Sequence, residues 1–580
     1  MSAGVLRSPG PRGVVTVLAT LAVAAAGLAA GTVPASSGTG HACPAPYRRA
    51  LVRGQQVHGL TVSSGTRPAS FTGHYLGTVV NGIAPGMDLI VARLGSPAIR
   101  RVGGIWQGMS GSPVYARDGR LIGAVSYGLS AAPSPIAGLT PAADLLALAG
   151  KGTAAAGAAR SRVVLPSRLQ RRIVAAGAAS PHDAAGGMAR LRLPVVVSGL
   201  GRRPDRRRLL AAMSGEPGHL VSGSAGGSAR PGPIVAGGNL AASLSSGTVT
   251  AAGLGTATVV CGHRVVGFGH PMTYQGLVHL GMLNADVIYV QPDNLGGPYK
   301  VGNLGPARGV ITGDHLAGIV GEQGLAPHAA VVQSRATFAG TTRSGLTRGF
   351  SQRYLPEIAA STLYAIQDRA FDHTGPGSTR TSWTVTGRRQ NGTTFTLHRS
   401  DIYTDTHDAS FAAPDELYNE MVAIARARPQ RFDAVTTRSR MTTNAGRYQV
   451  AGLAVATGGT WQPVPPAGVV RLSAGATVQL RVHLVSSRLA PRNVVLDLAV
   501  PSGTAGASGS LRITGGSSYG TNVRGSLDHV VAAIEHQPRN ADVVADLALR
   551  GPGGAHRSQV RSSAGWVVTG SRSNAVTVRH

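Results

Sequence analysis

The fold of this chain is decided by one short stretch, Gly108-Met109-Ser110-Gly111-Ser112-Pro113, which has the form Gly-x-Ser-Gly-x-Pro. Glycine on both sides of Ser110 lets the backbone turn sharply and keeps side chains away from the serine hydroxyl. Pro113 fixes φ at the start of the next segment, and an apolar run, Leu121-Ile122-Gly123-Ala124-Val125, follows it. The stretch therefore predicts a tight turn between two strands, with Ser110 in the turn.

Such a turn can simply join two strands, or it can present a nucleophile. A serine hydroxyl is a weak nucleophile that needs an adjacent base. The oxyanion that forms during acyl transfer needs N–H groups that converge on one point. Ser110 is the candidate nucleophile, and Ser112 is the alternative within the same motif. The candidate oxyanion donors are the backbone N–H groups of Gly108 and Ser110.

Two separate regions of the chain carry the same family resemblance. The residues concerned are 103–115 and 119–125 around Ser110, and 255–259 and 266–272 around His270. They resemble the serine-bearing and histidine-bearing segments of the stage IV sporulation protein B type of serine peptidases, in its secreted bacterial branch. The matches cover roughly residues 50–145 and 230–325. Two matches to one family are more specific than either alone.

The resemblance implies a serine endopeptidase that acts by acyl transfer on protein or peptide substrates and uses no cofactor. His270 would be the general base, and two chymotrypsin-like β units would form a split peptidase domain. In the sporulation enzyme the histidine segment comes first, whereas here Ser110 precedes His270. Triads recur in different chain orders because only their geometry matters. His58 and His74 lie upstream of the serine and are the competing bases.

The third catalytic residue is the least determined part of the site. Asp88 opens the run Asp-Leu-Ile-Val-Ala-Arg-Leu, which looks like the aspartate-bearing strand of chymotrypsin-like enzymes. The same aspartate could equally cap the turn that precedes this strand. We take Asp88 as the predicted third member. A Ser–His dyad, or Asp286 or Asp314 in this role, remains an alternative.

Turn residues and short apolar runs predict a mainly β chain with several units. The histidine-bearing unit would be followed by an αβ section and by an immunoglobulin-like β-sandwich. The predicted boundaries are a signal peptide at 1–35, a serine-bearing β unit at 36–150, an Ala/Gly/Arg-rich linker at 151–187, a histidine-bearing β unit at 188–345, an αβ section at 346–439 and a C-terminal sandwich at 440–580.

The N-terminus has the pattern of an export signal. Arg7 and Arg12 precede an apolar run at residues 14–30, and small residues follow it. The run is shorter than a membrane span requires, which favours cleavage and a secreted or wall-associated protein. Outside the cell, the only two cysteines, Cys43 and Cys261, are expected to form a disulfide.

The formal net charge is +30, and only two of the 55 basic residues are lysines, Lys151 and Lys300. The arginines are scattered and no aromatic residues are interleaved with them, so nucleic-acid binding is not expected. Anionic cell-wall polymers are a further expected partner. The histidines lack metal-ligand spacing, so no metal site is predicted. The alternative function is a non-catalytic secreted or wall-associated binding protein on an inactive peptidase scaffold.

Overall fold

Strands dominate the fold of this protein. In the computed structural model they make up 52% of the residues and helices make up 15%, so the prediction of a mainly β protein is confirmed. The structure describes residues 43–130, 132–151, 160–199, 220–222, 232–551 and 554–579. The predicted signal peptide, residues 1–35, lies outside the described residues.

The first sheet contains Ser110 in one of its connections. Its strands are β1 (Gln56–Thr61), β2 (Ala69–Ala84), β3 (Met87–Gly95), β4 (Pro113–Ala116), β5 (Leu121–Leu129), β6 (Ile136–Pro141), β7 (Arg162–Val163) and β8 (Met188–Arg190). The path β1-β2-β3-β6-β5-β4 closes into a ring of six strands, since β4 pairs with both β5 and β1. The turn with Ser110 therefore leads directly into a strand of a closed ring.

The second sheet contains His270 and has thirteen strands. They are β9 (Val195–Ser198), β10 (Leu220–Ser222), β11 (Asn239–Gly247), β12 (Thr250–Cys261), β13 (Arg264–Gly267), β14 (Gly276–Gln291), β15 (Tyr299–His315), β16 (Gly318–Gln323), β17 (Ala330–Phe338), β18 (Thr341–Gly349), β19 (Gly377–Arg388), β20 (Thr394–Asp405) and β21 (Arg431–Thr442). Strands β11 to β16 close a second ring, because β11 pairs with both β12 and β14. The sheet then continues through β18 and β17 to β21, without a break at residue 346.

Two five-stranded sheets form the C-terminal part. Their strands are β22 (Tyr448–Thr457), β23 (Thr460–Pro463), β24 (Val469–Ser473), β25 (Thr477–Val485), β26 (Arg492–Ala499), β27 (Ser508–Gly515), β28 (Asp542–Gly551), β29 (Gly554–Ser563), β30 (Val568–Thr569) and β31 (Ser571–Arg579). Leu480 and Leu496 of one sheet share a hydrophobic core with Leu511 and Leu547 of the other. Side chains of β25 and β26 alternate between buried and exposed, as expected for a sheet packed on one face.

Seven α-helices lie within the described residues. They are α1 (Pro97–Arg101), α2 (Ala142–Lys151), α3 (Ser167–Ala175), α4 (Pro181–Ala185), α5 (Leu355–Phe371), α6 (Ala412–Arg426) and α7 (Leu527–His536). The side chain of Ser526 caps α7 by accepting the N–H of His529. Helix α5 is buried on almost every side, because it packs against the second sheet and against α6.

The predicted linker at 151–187 is ordered structure in its described part. Strands β7 and β8 extend the first sheet from β5, and α3 buries Leu169 and Ile173 in the same core as Leu89 and Leu145. The Ala/Gly/Arg-rich stretch shows little pattern beyond a possible helix at 167–177, which predicts a linker or a loosely packed connector. In the fold, these few apolar side chains are enough to pack against the ring.

Candidate active site

A tight turn between β3 and β4 holds Ser110 in a defined conformation. Ser112 N–H donates to the carbonyl oxygen of Met109, 2.9 Å away. Gly108 has φ +89 and Gly111 has φ +94, which is the left-handed region that favours glycine. A Cβ atom at Gly111 would collide with the carbonyl oxygen of Thr256 on β12. The two glycines are needed for the turn itself and for its close packing against the second ring.

The structure brings His270 to Ser110, although 160 residues separate them in the sequence. His270 Nε2 and Ser110 Oγ are 2.9 Å apart. His270 follows β13, and the chain bends at Phe268, which has φ +69. The carbonyl oxygen of Gly269 accepts a hydrogen bond from the hydroxyl of Thr140 on β6. The first ring therefore helps to fix the histidine that the second ring supplies.

The hydrogen bonds of His270 define which ring nitrogen carries the proton. Its Nδ1 lies 2.8 Å from the carbonyl oxygen of Pro271. Since a carbonyl oxygen can only accept, Nδ1 must be the protonated nitrogen. Nε2 is then free to accept the proton of the Ser110 hydroxyl. This is the tautomer that a general base for Ser110 requires.

Burial keeps His270 neutral. Loss of hydration on burial, together with the positive charge of Arg190, lowers the pKa of His270 to about 3. The hydrogen bond to Pro271 acts in the opposite direction because it favours the protonated ring. The neutral base is therefore present throughout the ordinary pH range.

Two backbone N–H groups of the turn are available to bind an oxyanion. Within the described part of the chain, the N–H groups of Gly108 and Ser110 donate to no protein acceptor. The neighbouring carbonyl groups are held instead. Thr256 binds two of these carbonyl groups. Its hydroxyl donates to Gly108 O at 2.9 Å, and its N–H donates to Ser110 O at 2.9 Å. Thr258, two residues along β12, donates its hydroxyl to Gly111 O at 2.7 Å.

Asp88 is not part of this arrangement, and its assignment as the third catalytic residue is corrected. Its Oδ1 accepts the N–H of Asn81 at 2.8 Å, within the β2–β3 hairpin. The position that an aspartate would occupy, next to Nδ1 of His270, is taken by the Pro271 carbonyl. Asp88 thus stabilises its own turn, which was the other interpretation of this residue.

Asp314, one of the alternatives, acts on the chain that follows His270. Its carboxylate accepts the N–H groups of Met272, Thr273 and Tyr274 at 2.6–2.8 Å, and also the Thr273 hydroxyl at 2.7 Å. Asp314 is fully buried on β15. It fixes the backbone beside the base. Asp286, the other alternative, lies in β14 and is paired in register with Asn303 of β15.

The remaining candidates lie elsewhere. The Ser112 hydroxyl donates to Thr61 Oγ1 at 2.9 Å, so it is directed at β1. His74 is exposed and lies 3.3 Å from Gly54 O, and His58 lies against the ring of Tyr115. Ser110 and His270 are thus the pair that the fold assembles.

The pair is enclosed. Ser110 is 0% exposed and His270 is 2% exposed, so a substrate reaches them only when neighbouring segments move. A cavity of about 210 Å³ lies beside the turn, and its lining includes Gln107, Arg190 and Leu295. Gln107 Nε2 donates to Gly296 O, while its buried Oε1 has no donor within the described residues.

A disulfide links the start of the described chain to the histidine-bearing ring. Cys43 and Cys261 are bonded, with their Cα atoms 4.8 Å apart, and the bond closes a loop of 218 residues. Cys261 is the last residue of β12, the strand that carries Thr256 and Thr258. The bond anticipated from the two cysteines is present.

No family model, curated protein or solved structure matches this chain. Among the described residues, no helix is long and apolar enough to cross a membrane. The same residues contain no cluster of His, Cys, Asp or Glu that could hold a metal ion.

Proposed function

We propose that this protein is a secreted serine endopeptidase of the stage IV sporulation protein B type. The observation that carries the proposal is the 2.9 Å contact between Ser110 Oγ and His270 Nε2, with Nδ1 held as a donor by Pro271. The nucleophile Ser110 thus contacts the base His270, and the base contacts the Pro271 carbonyl that orients it, which is the arrangement that acyl transfer requires. The two free N–H groups at Gly108 and Ser110 add an oxyanion site.

In the first half of the reaction, Ser110 Oγ attacks the carbonyl carbon of a peptide bond and its proton moves to His270 Nε2. The carbonyl oxygen becomes an oxyanion between the N–H groups of Gly108 and Ser110. When the C–N bond breaks, His270 returns the proton to the leaving amine. Water then attacks the acyl-enzyme by the same route, and Ser110 recovers its proton from His270.

Within the described residues, no side-chain carboxylate is hydrogen-bonded to His270. The imidazolium that forms is stabilised by the Pro271 carbonyl oxygen, and Asp314 holds the adjoining backbone in place. A Ser–His dyad with a backbone acceptor therefore fits the geometry better than a triad with Asp88. The cavity beside Gln107 and Arg190 would receive part of the substrate.

Export and wall association belong to the same proposal. Disulfides persist in oxidising compartments, and the Cys43–Cys261 bond agrees with such a setting. A net charge of +30 favours contact with anionic wall polymers.

One observation favours a second candidate function, a binding protein on an inactive peptidase scaffold. Ser110 and His270 are enclosed. In this second function, their hydrogen bond would hold the two rings together and would take no part in a reaction. The two functions differ in whether the chain hydrolyses peptide bonds.

A mixed peptide library tests the difference. The purified secreted protein should cleave library members, and Ser110→Ala should not, because among the described residues Ser110 supplies the only hydroxyl that is hydrogen-bonded to His270. Ser112→Ala is the matched control and should retain cleavage, since Ser112 contacts Thr61 instead. No cleavage by the folded wild type would favour the second candidate, whereas equal cleavage by the wild type and Ser110→Ala would rule out Ser110 as the nucleophile.

A further inference from the structure

A fully buried lysine lies beneath the turn that carries Ser110. Lys300 is 0% exposed and is one of only two lysines in a chain whose other cations are arginines. Burying an ammonium group is costly unless it is paired. Its placement next to Gly108 therefore needs an explanation.

The hydrogen bonds of Lys300 lead to the turn through one hydroxyl. Its Nζ donates to Thr256 Oγ1 at 3.2 Å and to Asn239 Oδ1 at 3.0 Å. Thr256 has a single hydroxyl proton and gives it to Gly108 O. Its oxygen must therefore accept from Lys300.

The amide of Asn239 is fixed in the matching orientation. Its Nδ2 donates to Ala285 O at 2.9 Å and to Gly65 O at 3.2 Å. Its Oδ1 is thereby directed at Lys300. Both acceptors of Lys300 are neutral, and burial lowers the pKa of the ammonium group to about 7.

Lys300 also holds the other peptide unit of Gly108. Its backbone N–H donates to Gln107 O at 3.1 Å. In a trans peptide the C=O and the following N–H point in opposite directions. The Gly108 N–H is therefore directed away from the Lys300 backbone. A Cβ at Gly108 would lie 3.0–3.2 Å from the Lys300 side-chain stem, so the two residues are in close contact.

We propose that Lys300 is a positioning residue that fixes both peptide units of Gly108, one through its own N–H and the other through the hydroxyl of Thr256. The Gly108 N–H lies in the Gln107–Gly108 peptide unit, and glycine lets this unit rotate against the Gly108–Met109 unit more freely than other residues do. Both units must therefore be held if this oxyanion donor is to keep its direction. The lysine would hold the donor in place before substrate arrives, which is what electrostatic preorganisation requires. This inference rests on the proposed peptidase function.

Labelling kinetics with a fluorophosphonate can test it, because the phosphoryl oxygen occupies the oxyanion site. Ser110 Oγ bonds to phosphorus, fluoride leaves, and the hydroxyl proton passes to His270. Lys300→Met keeps the stem against Gly108 but removes the donor. We expect the maximal labelling rate to fall by about tenfold to a hundredfold, below the 10²–10³ lost with a whole oxyanion donor. The inhibitor constant should change less than about twofold, since binding before reaction does not use this site.

Variants at Thr256 keep the test decisive if Lys300→Met does not fold. Thr256→Val removes the connecting hydroxyl and should show the same fall, whereas Thr256→Ser keeps the hydroxyl and should retain most of the rate. Thr379→Val is the matched control. This variant also loses a buried hydroxyl that donates to a backbone carbonyl, but the carbonyl is that of Ala409 in the αβ region. It should label at the wild-type rate.

The double variant Lys300→Met/Thr256→Val should label no more slowly than either single variant, because both changes interrupt the same chain of hydrogen bonds from Lys300 Nζ through Thr256 Oγ1 to Gly108 O. If Lys300→Met and Thr256→Val label at the wild-type rate, or if their losses multiply in the double variant, the positioning role of Lys300 is overturned. The proposed peptidase function would not be affected by either result. No labelling of the wild type would overturn the peptidase function, and this inference with it.

Discussion

Asp314 is bound to the backbone that follows His270 and not to the histidine ring. Its carboxylate accepts three consecutive N–H groups, those of Met272, Thr273 and Tyr274. The ring itself is oriented by the carbonyl of Pro271, one residue away in the chain. An acidic residue thus supports the base indirectly, by fixing the segment from which it projects.

Asp314→Asn should therefore impair both stability and rate. The amide places a donor among N–H donors, and a buried unsatisfied group costs about 1–3 kcal/mol. We expect a lower melting temperature and a labelling rate reduced by about tenfold to a hundredfold, since small displacements of a catalytic group are costly.

Asp88→Asn is the control for this prediction, because an amide oxygen can still accept the N–H of Asn81. Calorimetry and labelling should both give wild-type values for it. A larger loss of rate in Asp88→Asn than in Asp314→Asn would restore Asp88 as a catalytic candidate.

The pH dependence of labelling should reflect the lowered pKa of His270. A base with a pKa of about 3 stays neutral as the pH falls, so the rate should not decline between about pH 8 and pH 5. Arg190→Gln removes a positive charge that opposes protonation of the ring. The pKa of His270 should rise, and the acid limb of the profile should move to higher pH.

Arg192 lines the same cavity, so Arg192→Gln serves as the control. Of these two arginines, Arg190 is the one whose charge lowers the pKa of His270. A wild-type profile that falls with a midpoint near pH 6.5, the value of an unperturbed histidine, would contradict the account of the buried base.

Lys300 should make stability depend on pH in the alkaline range. Its pKa is about 7 in the fold and 10.5 as the ordinary value, so between these values the unfolded chain binds a proton that the folded chain does not. Stability then rises with pH across this window. Lys300→Met should melt higher than the wild type near pH 7, and the difference should shrink towards pH 10.

Melting curves of both proteins, with Thr379→Val in parallel, measure this difference. A constant difference across the window would mean that Lys300 remains charged in the fold.

Reduction of Cys43–Cys261 should destabilise the protein. The bond closes a loop of 218 residues, for which chain-entropy models give about 5 kcal/mol. The melting temperature should fall, and labelling should weaken because the bond is anchored at the end of β12. Thiol titration of the denatured, unreduced protein should find no free thiol, and two free thiols per chain would refute the prediction.

Ser110 and His270 could be predicted because each lies in a local pattern of glycine and proline that shapes the backbone around it. Asp88 was misleading, since an aspartate that opens an apolar strand looks the same whether it caps a hairpin or serves a catalytic histidine. Only the positions of Asn81 and Pro271 in space distinguish the two.

Thr256 and Lys300 act on the turn from strands that are distant in sequence, so no spacing pattern reveals their contacts. Asp314 was an alternative for the third catalytic residue, but its contact with the backbone after His270 had no signal in the sequence. Lys300 had one signal, its rarity, because lysine is replaced by arginine almost everywhere else in the chain. That signal indicates an unusual environment but not which one. Helix α3 agrees with a possible helix at 167–177 in the sequence, whereas its packing against the first ring has no signal of its own, because only Leu169 and Ile173 are buried.

The most direct test of the central claim is the site of fluorophosphonate attachment. The wild-type protein would be labelled, digested and mapped by mass spectrometry, alongside Ser110→Ala and Ser112→Ala. The account predicts one adduct per chain, on Ser110, present in the wild type and in Ser112→Ala and absent from Ser110→Ala. An adduct on another residue, or an unlabelled folded wild type, would contradict Ser110 as the nucleophile.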